Sequence, residues 1–433
     1  MKERLVETLR ELLTINTSNP PGGEEKAASF LYGLLKPHIP DIEIIASADG
    51  RANLFAKIGG KREARPIVLL VHLDTVPADE KEWSFPPFSA HVSEGFIYGR
   101  GAIDMKSQVV CTAFSLLELV EEGVVPENPI VFLATADEEC GGKFGLCYVL
   151  EKKEELKSAA FVLSEGGFVI EEDGLLYAQI ALSEKKLSQF VVKAKGTPGH
   201  ASAPHGDNPN EKIVAAARRI LSYNSPLRVT ALARSYLNGI LKGSRVGSYT
   251  FRDLREAVRD RRFVRFLVKR PDLNALLRNT IALTILRGGE KINVIPSLSE
   301  AYFDARLLPD QSHEAFFKKI RRLAGPEVEI AFTEGGISTP IPSPKRTVFF
   351  RLLKEVIQER LDCKVLPYMT AGATDLRFFR SLSIPSYGFF PLVLSKGEAQ
   401  RMHGVDERVS IERLLLAFDI QKEIIRRLML TRV

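Results

Sequence analysis

Cysteine is scarce, long apolar runs are missing and nothing repeats, and each lack closes off a class of protein. Four cysteines (Cys111, Cys140, Cys147, Cys363) in 433 residues are too few for a disulfide framework. With no CxxC pair among them, a finger-type structural zinc site is not expected. No run of 18 apolar residues offers a membrane span. The opening "MKERLVETLRELLTINTSNPPGG" sets Leu5, Leu9, Leu12 and Leu13 at helical spacing among charges, the pattern of an amphipathic helix and not of a signal peptide. No internal repeat or low-complexity tract is visible. At 45% hydrophobic and 26% charged residues, the chain has the composition of a globular protein with room for two or three domains. The expectation is a soluble, cytoplasmic protein.

The excess of positive charge is local. The net charge is +6, and "RDLREAVRDRRFVRFLVKR" (252–270) alone holds eight basic and three acidic residues. An anionic partner is one reading of such a segment. It has no interleaved stacking aromatics and matches no nucleic-acid module. It is therefore read as the solvated face of a helix whose Leu254, Val258 and Phe266 pack inward, with no nucleic-acid or membrane partner.

Through the first 165 residues, apolar strands alternate with amphipathic helices. "PIVLLVH" (66–72), "PIVFLATADEE" and "AAFVLSEGG" (159–167) read as buried strands, and "DMKSQVVCTAFSLLELVEEG" (104–123) as a helix stopped by Gly123. This alternation predicts an α/β fold: a mostly parallel sheet flanked by helices. Near residue 185 the pattern becomes half-exposed alternation ("LSQFVVKAKG", "IALTILRGG", "SEAYFDARL"), which predicts an inserted α+β domain with an open-faced antiparallel sheet. Buried-strand character returns with "IPSYGFFP" (384–391). The expected organisation is a catalytic domain in two parts, 1–185 and 338–433, interrupted by 186–337.

The residues that end the buried strands carry the chemistry. One strand ends in His72 and Asp74, the next in Asp137, Glu138 and Glu139, a third in Glu165. A glycine-bearing loop delivers Asp104 to a helix start, and His403 follows the returning strand. Ligands of open α/β sheets bind at the carboxyl ends of strands. Three adjacent acids at a buried strand end are costly unless cations face them. Two imidazoles and several carboxylates with no thiolate suit Zn²⁺, and also Co²⁺ or Mn²⁺. The charge balance fits two ions better than one. Asp74, two residues from His72, is placed to hold the imidazole's other nitrogen.

These stretches, "HLDTVPADEKEWSFPPFSAHVSEGFIYGRGAIDMKS", "DEECGGKFG", "GTPGHASAPH", "NVIP" and "HGVDE", together resemble the di-zinc peptidase and deacylase family. That family contains aminoacylase, acetylornithine deacetylase, succinyl-diaminopimelate desuccinylase, glutamate carboxypeptidase and carboxypeptidase S. "WSFPPF" and "ATDLRFFRSLSIPSYGFFP" resemble the carboxypeptidase S and aminoacylase branches most. The resemblance implies that His72 and Glu165 bind one zinc, Glu139 and His403 the other, and that Asp104 bridges them. It makes Glu138 the general base. It assigns His200 of "GTPGH" to the oxyanion, reached across a homodimer formed by the inserted lid domain. It assigns Asn293 and Arg306 to the substrate's carboxylate, Gly372 to the pocket lining, and Arg377 to a second carboxylate-binding position.

Two departures from the family pattern stand out. Ser107 replaces a glycine frequent after "DMK", and the insertion is lengthened around residues 222–278. His91, His205 and Cys140 lie near motifs but are read as ordinary loop and packing residues. The expected enzyme is a zinc-dependent amidohydrolase or peptidase acting on an N-acyl-amino acid or a short peptide with a free C-terminal carboxylate. A metal-dependent aminopeptidase, or a catalytically silent binding protein on the same scaffold, would be the competing classes.

Overall fold

A computed structural model describes residues 1–246 and 248–433. The chain divides into two compact units: Met1–Leu182 with Pro342–Tyr368 and Thr374–Val433, and Ser183–Ile341 with the short return Met369–Ala373.

The first unit holds a ten-stranded sheet. Its order is Ile42–Ala48, Arg51–Ile58, Ile130–Thr135, Ile67–His72, Phe161–Ser164, Ser386–Gly388, Leu175–Glu184, Val169–Glu172 and Val393–Ser395, with Lys364–Thr370 pairing Leu175–Glu184 off this path. The central strands from Ile130–Thr135 to Ser386–Gly388 run parallel. The fold is therefore the expected mixed α/β type with parallel strands at its centre. Ile67–His72 and Ile130–Thr135 are buried at every position, because both faces of a parallel sheet are covered and an unbroken apolar run satisfies both. On one face lies the helix Lys106–Glu121, itself packed against Lys2–Thr14 and Ile411–Met429. Gly123, at φ 74, ends that helical turn. The other face is filled by Val68, Leu70, Val131, Leu133, Leu146, Val149 and Phe379. All the central parallel strands point the same way, so their polar carboxyl-terminal residues gather on one rim.

The second unit is an antiparallel four-stranded sheet in the order Thr280–Arg287, Leu298–Leu307, Lys186–Lys195, Glu329–Ile337. Along Leu298–Leu307, burial alternates residue by residue. Phe303 and Ala305 join Phe190 and Val192 beneath the helices Pro209–Leu221 and His313–Ala324. The basic segment departs from expectation. Asp253 and Asp260 each cap a new helix start with their carboxylates, so it forms two helices, Leu254–Ala257 and Arg261–Val268. The inward residues change accordingly: Leu254, Ala257, Phe263 and Leu267 are fully buried, whereas Val258 and Phe266 are half-buried. Among the described residues, no helix is long and apolar enough to cross a membrane.

The sheet core makes a direct test of packing. Leu133, fully buried in the first unit's core, leaves a cavity when replaced by Ala. Leu133→Ala should cost about 2–5 kcal/mol, read as a fall in the urea midpoint at unchanged slope.

Candidate metal centre

The rim where the parallel strands end gathers five side chains from five separate places in the chain. His72 is the last residue of its strand and is almost completely buried. Glu165 directly follows Phe161–Ser164. Glu139 sits in the short turn Glu138–Cys140 beyond Ile130–Thr135. Asp104 precedes the helix Lys106–Glu121, and His403 occupies a loop position at φ 59.

Asp104 lies between the two imidazoles. Its Oδ1 is 3.0 Å from His72 Nε2 and its Oδ2 is 3.1 Å from His403 Nε2. Each imidazole faces one further acid: His72 Nε2 is 3.7 Å from Glu165 Oε1, and His403 Nε2 is 3.2 Å from Glu139 Oε1. The arrangement is two half-sites sharing one carboxylate. Glu138 joins the first half-site, since ligand atoms of His72, Glu138 and Glu165 lie within 4.8 Å of one another, as do those of His72, Asp104 and Glu139.

The electrostatics show what the cluster lacks. Burial and then the charge of Glu165 push Glu138 well above the usual carboxylate range. Burial and the Asp104 charge push Glu165 to about 8. Burial alone would lower the proton affinity of His72, but Asp104 and Asp74 reverse this and raise it well above the ordinary imidazole value. Hydrogen bonds to Asp104 and Glu139 push His403 to about 10. Glu138 Oε1 is buried with no hydrogen-bond partner among the described residues, a costly arrangement for a protein to leave unmet, while Glu139 Oε1 faces His403 Nε2 at 3.2 Å. Imidazoles and carboxylates without a thiolate, with the buried Glu138 oxygen left without a hydrogen bond among the described residues, fit divalent ions of the Zn²⁺ type.

Around this cluster the structure adds two details. Asp74 faces the other nitrogen of His72 with its backbone carbonyl as well as its carboxylate: His72 Nδ1 is 3.0 Å from the carbonyl and 3.5 Å from Oδ1. The carboxylate also accepts the backbone N–H groups of Glu138 and Glu139, at 3.1 Å each. The three adjacent acids also divide. Asp137, left-handed at φ 66, points away from the imidazoles and is met by Arg51 Nη2 at 3.1 Å and Asn19 Nδ2 at 3.0 Å. Arg51 is in turn held by the buried Glu24. A protein cation answers the first acid, and only Glu138 and Glu139 face the cluster.

Arg377 lies in the same unit, buried, with Nη1 3.7 Å from Glu138 Oε1 and Nη2 3.7 Å from Asp375 Oδ1, its guanidinium over the Phe378 ring. Asp375, pushed up to about 6 by burial, accepts a hydrogen bond from Thr135 Oγ1 at 3.2 Å. Asn19, Arg51 and Asp375 were not foreseen from sequence. An isolated Asn, Arg or Asp in a loop or at a strand start carries no spacing signal.

The remaining candidates belong to the second unit. Gly199–His200 pairs with Val294–Ile295, placing His200 opposite Val294 and beside Asn293, whose carbonyl accepts from Ala201 N–H at 3.0 Å. His200 Nδ1 accepts the Ser202 backbone N–H at 3.1 Å and lies 2.6 Å from Ser202 Oγ, so Nε2 is the nitrogen left for other contacts. Arg306 is already engaged: Nε and Nη2 bind Asp304 at 2.6 and 2.8 Å. Gly372 is exposed in the short return Met369–Ala373. His205 accepts from Asp207 N–H, and in the first unit His91 stacks on Phe85. Cys140, expected in packing, is exposed, because the turn directs its acids inward and leaves the sulfur on the outer side.

The model for "Peptidase family M20/M25/M40" matches residues 68–427. N-fatty-acyl-amino acid synthase/hydrolase PM20D1 of Mus musculus is 30% identical over 389 residues, covering 83% of this chain and 74% of that protein. Probable carboxypeptidase S-like 2 of Dictyostelium discoideum is 29% identical over 377 residues, covering 84% and 71%. Among solved structures, the M20 family metallo-carboxypeptidase Sso-CP2 from Sulfolobus solfataricus superposes with a TM-score of 0.75 at 18% identity, over 98% of this chain and 99% of that one. A family match spanning the strands, the acidic turn and the His403 loop makes this chain a hydrolase that belongs to peptidase family M20/M25/M40.

Proposed function

We propose that the protein hydrolyses the amide bond of an N-acyl-amino acid, or of a short peptide with a free C-terminal carboxylate, using two Zn²⁺ per chain. Co²⁺ or Mn²⁺ would suit the same donors. The observation that carries this reading is Asp104 between two imidazoles, each with its own further acid, beside Glu138, whose buried Oε1 has no hydrogen bond among the described residues. His72 and Glu165 would hold one ion, Glu139 and His403 the other, and Asp104 both. Bound there, the ions supply Lewis acidity toward the acyl carbonyl and make a nearby water more acidic.

The chain's own residues do the rest. Glu138 takes a proton from the attacking water and passes it to the leaving nitrogen, so a C–O bond forms, the C–N bond breaks, and a carboxylic acid and an amine leave. Asp74 fixes the backbone on which Glu138 stands, and Arg377 holds its carboxylate from the side. In this reading His200 donates its Nε2–H to the oxyanion that develops on the carbonyl. Asn293 and Arg306 serve the free carboxylate, and Gly372 lines the pocket. With two of its donors on Asp304, Arg306 offers Nη1 rather than a two-pronged grip, so Arg377 remains the second candidate. The names of the relatives, an N-fatty-acyl-amino acid hydrolase and a carboxypeptidase-like protein, agree with this substrate class.

The second unit acts in this proposal as a lid and dimerisation domain. Its sheet edge Thr280–Arg287 leaves Ile285 and Leu286 exposed, and the helix Pro209–Leu221 exposes Val214 and Leu221. An unpaired edge strand with exposed apolar residues favours pairing with a second copy. Four free cysteines accord with a cytoplasmic setting.

Three experiments test the reading. Glu138→Gln should retain zinc, measured by elemental analysis, yet lose about 10²–10⁴ in turnover, whereas Glu139→Gln should lose metal; near-normal turnover in Glu138→Gln would remove it as the base. Arg306→Ala should weaken hydrolysis of the free-acid substrate by about 2–5 kcal/mol and that of its amide far less. Equal losses for acid and amide would transfer the carboxylate to Arg377. Mixing the inactive variants His200→Ala and Glu138→Ala should restore activity if subunits exchange and the histidine crosses between chains, while a monomeric mass at assay concentration would end that idea.

A further inference from the structure

Asp104 and His403 are separated by 299 positions in sequence and stand on loops, yet their side chains must keep a fixed spacing for both half-sites to exist. Glu407 links those loops. It is fully buried and accepts four hydrogen bonds: from Arg100 Nη1 at 2.8 Å and Gly101 N–H at 3.1 Å on Oε2, and from Ile103 N–H at 2.7 Å and Asp104 N–H at 3.0 Å on Oε1. The loop of Asp104 grips back. Arg100 Nη2 donates to the Gly404 carbonyl at 3.0 Å, and Gly99 N–H to the Glu407 carbonyl at 2.9 Å. A third segment closes the arrangement. The Trp83 ring lies over the Arg100 guanidinium, 5.1 Å from centroid to carbon. Ser84 donates from N–H and Oγ to Asp406, both at 2.8 Å.

We infer that Glu407, with Arg100 and Trp83, is a positioning clamp that builds the His403–Glu139 half-site of the proposed metal centre. The two halves differ in how they are held. His72 is fixed by its strand and by packing, with a side chain 2% exposed, whereas the His403 side chain is 50% exposed. Packing does not orient that imidazole, so its orientation comes from its loop. That loop holds His403 and Asp406 at positive φ, 59 and 54, a backbone state that persists only when surrounding contacts enforce it. The clamp supplies those contacts and, through the N–H of Asp104, ties them to the carboxylate shared by both halves. Outer partners of metal-directed residues commonly control affinity in this way. The ion held by His403 and Glu139 is therefore the weaker one and depends on Glu407 more than the ion held by His72 and Glu165, which shares only Asp104 with the clamp.

The inference rests on the di-metal reading, and the test separates the two. Trp83 is the chain's one tryptophan, so its emission reports the clamp directly. Metal-free full-length protein is titrated with Zn²⁺ alone, followed by calorimetry and by Trp83 fluorescence. Wild type should bind two equivalents, the weaker step changing the emission. Glu407→Gln should weaken that step by about 10–100-fold and the tighter step far less. Arg100→Lys keeps the charge but loses the fork reaching Gly404, should weaken the same step, and carries the test if Glu407→Gln does not fold. Wild-type affinity for both ions in these variants, or equal weakening of both steps, would overturn the clamp. A wild type that binds no zinc at all would overturn the metal reading beneath it.

Discussion

A carboxylate shared by two imidazoles is the constraint around which the first unit is organised. For Asp104 to face His72 on one oxygen and His403 on the other, a strand end, a helix entry and a C-terminal loop must meet within hydrogen-bonding distance. The parallel sheet solves most of this, because strands running the same way deliver His72, the acidic turn and Glu165 to one rim. It does not supply Asp104 or His403, which lie on connecting loops. Those loops are fixed by buried polar side chains that hydrogen-bond to backbone groups far away in sequence, Glu407 above all.

Crowding acids has a cost that shapes the surroundings. Asp74, Asp104, Asp137, Glu138, Glu139, Glu165 and Asp375 all lie at or beside the rim, and their mutual repulsion in a buried setting must be offset. The chain divides them. Asp137 is neutralised by Arg51, itself braced by Glu24. Asp74 is committed to the N–H groups of the acidic turn and to Asn19. Asp375 is turned toward Thr135 and Arg377. What remains without a hydrogen bond among the described residues, the inward oxygen of Glu138, is what the proposed ions and a transferable proton would satisfy.

The α/β pattern was legible because unbroken apolar runs such as 67–72 and 130–135 have few alternatives once they are flanked by amphipathic helices. The acidic strand ends were legible for the opposite reason, since polar residues directly after a buried run demand an explanation. Other features were not. That the Asp74 carbonyl comes closer to the His72 ring than its carboxylate does is a matter of about half an ångström that spacing does not encode. The break in the basic segment turned on Asp253 and Asp260 acting as caps, where their charges alone looked like members of one solvated face. Arg51 and Asn19 reach Asp137 from 86 and 118 positions away, and nothing local marks them.

Two kinds of support therefore coexist within one small site. Groups on strand ends inherit their positions from the sheet's hydrogen-bond ladder and from side chains packed on both faces, so their geometry is as stiff as the core. Groups on loops inherit theirs from a few buried polar contacts, each removable by one substitution. His72 and Glu165 belong to the first kind; His403 belongs to the second, and Asp104 joins them. On the proposed reading, a centre that needs both halves at once is only as well ordered as its loop-held half, which the bonds around Glu407 hold.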